Sequence, residues 1–71
     1  MSFEDDILKL KNLAEQEGYA EAQYLLGMMY GKGQGVPEDI EKAKQLICKA
    51  AAQGHQGAKD FLVKVAGYAK K

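Results

Sequence analysis

Seventy-one residues, 46% of them apolar, can hold one small domain, and a core of that size rarely supplies more than ~3–5 kcal/mol. The formal net charge is zero and all ten cations are lysine, so the bidentate arginine contacts that favour base and phosphate recognition are excluded. One cysteine excludes an internal disulfide, and one cysteine with one histidine excludes a Cys/His metal cluster.

In chain order, the first helix is predicted over residues 3–17. Ser2 followed three residues later by Asp5 resembles a capping box, and Phe3, Ile7, Leu10 and Ala14 fall on one face. Gly18 then offers the left-handed conformation that commonly ends a helix. The second helix is predicted over residues 20–30, with Ala22, Leu25, Leu26 and Met29 on one stripe. Its small positions, Ala20, Ala22 and Gly27, let a neighbouring helix come close.

The stretch from Gly31 to Pro37 is too rich in glycine to continue a helix and is predicted as a loop. Pro37 presets the chain for the next helix, and Glu38 and Asp39 put negative charge at the positive end of its dipole. In that third helix Ile40, Ala43, Leu46, Ile47, Ala50 and Ala51 recur at spacings of three and four, opposite Glu41, Lys42, Lys44, Gln45 and Lys49. Gly54 ends it. The fourth helix, residues 56–69, presents Ala58, Phe61, Leu62 and Val65 inward and trails into Lys70 and Lys71. No run reads as a strand, so the domain is predicted to be all-α.

The chain also repeats. Leu10, Ala14, Gly18, Ala22 and Leu26 align with Leu46, Ala50, Gly54, Ala58 and Leu62, 36 positions on. A single period of that length is the signature of a helix-turn-helix repeat. The run Ala20-Glu21-Ala22-Gln23-Tyr24-Leu25-Leu26-Gly27-Met28-Met29-Tyr30, the glycine loop to Val36, Asp39-Ile40-Glu41-Lys42-Ala43 and Lys49-Ala50-Ala51-Ala52-Gln53-Gly54 together resemble the Sel-one-like repeat, a cousin of the tetratricopeptide repeat.

The resemblance implies a right-handed α-α superhelix (a solenoid) of about four antiparallel helices. Residues 1–71 would form a single domain with one full repeat at about 20–54 and half-repeats at 3–18 and 56–69. It departs from the family pattern where Leu46-Ile47 replace an aromatic pair, and where Asp60 and Val63 stand in the places of Tyr24 and Gly27. Val63 in place of glycine should hinder close approach of a further helix, as a terminal helix requires. Secreted members carry paired cysteines, so the lone Cys48 supports a reducing compartment.

In such proteins the first helix of each repeat lines a concave surface. That register makes Glu21, Tyr24, Met28, Lys32, Asp60, Lys64 and Tyr68 the candidate partner-binding residues, with Tyr24 also read as a packing position. Tyrosine offers a broad apolar body with a polar tip, and methionine a deformable thioether.

Chemistry finds little footing. Neither a phosphate loop nor a dinucleotide fingerprint fits, because Leu26 and Gly33 break the first pattern and Glu38 the second. Cys48, beside Ile47, is predicted to be a buried or half-buried structural thiol, and His55 an exposed turn residue. The acidic pairs Asp5-Asp6 and Glu38-Asp39 each open a helix, so helix-start electrostatics account for them. No enzyme activity and no cofactor are expected.

Charge is divided between the halves: residues 1–35 carry six acids against three lysines, and residues 36–71 four acids against seven. The lysines are scattered rather than striped, so nucleic acid is not an expected partner. The opposed halves would favour head-to-tail association in low salt, although a solvated surface of mixed sign is the plainer reading and the one preferred. The acidic start lacks the pattern of a secretory signal, and no stretch approaches the ~18 apolar residues of a membrane span. A cytoplasmic protein is expected, and Met1 with the lysine-rich end suggests a complete chain.

The expected function is therefore a non-enzymatic adaptor or scaffold that binds another protein through helical-repeat surfaces. Phe3, Ile7, Leu10 and Leu13 give the first helix more apolar positions than one neighbour can cover, so a homodimer through terminal helices is the most specific version. A small inhibitor or immunity-type protein that blocks one enzyme or toxin is the alternative, and a small-ligand binder or enzyme the remote one.

Overall fold

Four stretches of helix-compatible sequence are separated by glycine, and the computed structural model follows those breaks. It describes the backbone of residues 3–69 and the side chains of residues 6–64. The helices are α1 (Phe3–Glu15), α2 (Ala20–Lys32), α3 (Ile40–Ala52) and α4 (Gln56–Ala69). No strand occurs among the described residues. The domain is all-α.

Two boundaries differ from the sequence expectation. α1 closes at Glu15, two residues early, with Gln16 and Glu17 both donating to the Asn12 carbonyl before Gly18 turns the chain. α2 runs through Gly31 to Lys32, because the left-handed residue that ends it is Gly33, at φ 69°. Gly31 stays helical where it faces Ala43 of α3. The start of α3 is sharper than expected: Pro37 and Glu38 precede the helix, and Asp39 is the cap, its side chain accepting the Lys42 N–H at 3.1 Å. The expected Ser2–Asp5 box and the inward positions Phe3 and Val65 lie outside the described side chains.

Packing passes from each helix to its neighbour in the chain: α1 on α2, α2 on α3, α3 on α4. α2 and α3 are antiparallel, since Asp39 N–H meets the Tyr30 carbonyl at one end and Gln53 meets Gln23 at the other. The result is elongated, 43 × 23 × 15 Å. One apolar cluster joins Ala14, Ala22, Leu26, Tyr30, Val36, Ala43 and Leu46, and Ile7, Leu10, Leu13 and Met29 pack against it. A second joins Ile47, Ala50 and Ala58, with Tyr24, Met28, Phe61 and Leu62 at its margin.

α2 and α3 approach closely. A Cβ on Gly27 would lie 2.7 Å from Ile47 Cγ1 and 3.2 Å from the Ala43 carbonyl oxygen. Glycine is required there because two helices meet. Gln23 is the buried polar residue among the described side chains; its amide donates to the Ala14 carbonyl and its oxygen accepts from Gln53. Gln53 also reaches the Gly18 carbonyl at 2.8 Å, so one turn ties the ends of α1, α2 and α3 together.

Several expected core positions lie outside. Leu25 and Ile40 are 43% and 51% exposed. Leu25 is displaced because Gln23, Gly27 and Tyr30 are turned inward with Ala22 and Leu26. Ile40 opens α3, where no neighbouring helix covers it. Of the expected apolar excess of α1, Ile7, Leu10 and Leu13 are half-buried, and among the described apolar side chains of the helix Leu8 is exposed.

Candidate interaction surface

The small residues that let α2 and α3 meet also leave a gap beside them. At the ends of α2 and α3, with Phe61 of α4 as a third wall, is an almost wholly apolar groove of about 250 Å³. Gly27, Gly31 and Ala43 form its floor, and Met28, Ile40, Ile47 and Phe61 its sides. Lys32 and Lys44 are the charged residues on the lining. Gly31 is the open part of the floor, since a Cβ there would meet only the Ala43 Cβ at 3.7 Å.

Along α2, toward its start, a second cluster gathers around His55. The His55 ring stacks on Tyr24 with centroids 4.6 Å apart and planes at 27°. Its Nδ1 accepts the Ala58 N–H at 3.0 Å, which caps the start of α4. A nitrogen that accepts cannot carry the proton, so Nε2 holds it and donates to Glu21 Oε1 at 2.8 Å. Gly57 leaves the space for this stack: a Cβ there would lie 3.0 Å from His55 Cε1 and 3.4 Å from Tyr24 Cζ.

His55 is thus corrected from an exposed turn residue to a half-buried cap that fastens α4 to α2. Cys48 is corrected in the opposite sense, from buried or half-buried to exposed. Ile47 and Ala50 turn inward, and the 100° advance per residue carries Cys48 to the outer face of α3.

The candidate residues therefore separate into groups. Met28 and Lys32 come together on the groove. Glu21 and Tyr24 belong to the His55 cluster, where their side chains are already engaged. Asp60 is exposed and accepts from Gln56 one helical turn earlier, at 2.9 Å. Lys64 is exposed and outside the groove lining. The side chain of Tyr68 lies outside the described residues.

Sequence reasoning missed the contributions of Gly31, Ile40, Ala43, Lys44, Ile47 and Phe61 to the groove. The available signal was the pairing of glycines four apart on α2 with Ala43 in the facing helix. Among the described residues no group of three His, Cys, Asp or Glu side chains could hold a metal ion. No described helix is long and apolar enough to cross a membrane.

A family model described as the Sel1 repeat matches residues 20–55, which span α2, α3 and the turn to His55. No curated protein and no solved structure matches the chain.

Proposed function

The chain belongs to the Sel1 repeat family, and from that premise we propose that it is a non-enzymatic adaptor holding a partner protein in the groove between α2, α3 and α4. Repeats of this family are generally helical modules for protein–protein interaction. The observation that carries the reading is the groove itself. Its sides are Met28, Ile40 and Phe61, side chains suited to recognition, and its rim is lysine.

In this reading α1 and α4 are half-units on either side of the α2–α3 pair, and the four helices form a short run of right-handed superhelix. The chain-neighbour packing and the elongated shape support it. Met28 and Lys32 make the contact, while Glu21 and Tyr24 hold α4 in place through His55. Asp60 and Lys64, both exposed, extend the surface along α4. The exposed thiol of Cys48 supports a reducing, cytoplasmic setting.

Affinity capture from the source cells, with the wild type and Met28→Glu quantified side by side, tests this. A charge placed on the apolar wall should reduce specific partners about tenfold, scored on preparations whose circular dichroism shows the folded domain, since Met28 also packs against the Ile47 cluster. Equal recovery by the two proteins would overturn the reading.

A further inference from the structure

We propose that the groove receives the apolar face of an acidic amphipathic helix from the partner protein. This rests on the adaptor reading and adds the chemistry of the partner to it.

Size is the first argument. About 250 Å³ lies below the ~300–1,000 Å³ of small-molecule sites, so the groove suits a few apolar side chains presented by a larger molecule. Gly31 leaves the floor open, and Ile40, 51% exposed, stands at the rim with its apolar surface in water.

Charge is the second. Lys32 and Lys44 flank the apolar floor and no carboxylate lines it. Among the described residues neither lysine is in an ion pair. The acids nearest in sequence form no ion pair with them and stand outside the lining: Asp39 is occupied in capping α3, and Glu38 packs against Gly33. On α4 the exposed Lys64 and the exposed Asp60 share one helix face and offset each other, so the positive character of the groove rests on Lys32 and Lys44. An apolar strip between cations selects a partner whose apolar strip lies between anions, and it disfavours a basic one.

Shape is the third. The walls are helices, whose backbone groups are satisfied internally, so they offer no edge for an added strand. An amphipathic helix with apolar residues at i, i+3, i+4 and i+7 is the form that fits a groove between helices. The lining runs from Gly27 to Lys32 on α2 and from Ile40 to Ile47 on α3, which at ~1.5 Å per residue gives walls about two turns long, the span of an i to i+7 stripe.

The test uses three fluorescein-labelled peptides of about four helical turns. One has a leucine stripe flanked by glutamates, the second exchanges glutamate for lysine, and the third keeps glutamate but replaces leucine with alanine. Anisotropy should show the first binding at least about tenfold more tightly than the others. The double variant Lys32→Glu, Lys44→Glu should reverse the preference between the first two. Gly31→Leu should abolish binding of the acidic peptide, as should Ile40→Glu, at an exposed site that the fold does not need. Amide shift changes should centre on Gly27, Gly31, Ala43 and Ile47.

Equal affinity for the acidic and basic peptides, no binding of any peptide, or shift changes elsewhere would overturn the proposal. The two readings fail separately. If Met28→Glu loses its captured partners while the peptides show no charge preference, the acidic partner is wrong and the adaptor role stands. If Met28→Glu captures the same proteins as the wild type, the adaptor role itself falls.

Discussion

α2 and α4 hold equivalent places in the 36-residue period, yet they are packed differently. α2 is covered by α1 on one side and α3 on the other; its Leu26 is fully buried, and Gly27 admits Ile47 to within contact. α4 packs against α3, and Val63, at the position of Gly27, is 69% exposed. The alanine at the other matched position, Ala22 or Ala58, is buried in both helices. α2 therefore carries glycine where a neighbouring helix packs, and α4 carries valine at a position that no described helix covers.

The largest loss of stability is expected from the α3 side. Ile47→Ala removes a side chain that is 1% exposed where both α2 and α4 pack, and the expected loss is about 2–5 kcal/mol. That approaches the whole stability of a domain this size, so urea titration should find a largely unfolded chain. Next comes Gly27→Val, which gives α2 the residue of α4. The branched side chain cannot coexist with Ile47 Cγ1 at 2.7 Å, and overpacking of this kind costs about 1–3 kcal/mol. The reverse exchange, Val63→Gly, should cost only about 0.3 kcal/mol from helix propensity, since valine is itself a weak helix former. Chemical denaturation of the two variants measures the asymmetry directly.

A smaller effect is expected at the joint between the two helices. His55→Ala removes the cap of α4 and the bond to Glu21, with a loss of about 1 kcal/mol. His55→Asn should restore much of it, since asparagine also caps; amide exchange at Ala58 and Lys59 is the measurement. Smallest is Gly31→Ala. Its Cβ makes an ordinary contact with Ala43 at 3.7 Å, so helix propensity should stabilise the domain by up to about 0.5–1 kcal/mol. Two glycines four residues apart on α2 thus respond in opposite directions.

Local signals made the helices legible. Gly18 and Gly54, both at positive φ, and Asp39, which caps α3, stood in the sequence where the chain turns. Periodicity in α3 identified Leu46, Ile47 and Ala50 correctly, and the same periodicity places Cys48 outside. α2 was harder because apolar residues surround it, so no stripe singled out Gln23 and Tyr30 over Leu25. The His55 cluster was not legible, since histidine is an uncommon cap and its partner Glu21 is 34 residues away. The groove was hidden for a related reason: it consists of missing side chains, at Gly27 and Gly31 on one helix and Ala43 on another. Only their juxtaposition makes a cavity.

Gly31 is where packing and binding separate most cleanly, so Gly31→Leu gives the most direct test of the groove as the partner site. Thermal unfolding and partner capture should be measured on the same preparation. The groove assignment predicts a Tm that is unchanged or higher, together with loss of the captured partner. Undiminished capture by a folded Gly31→Leu protein would contradict it.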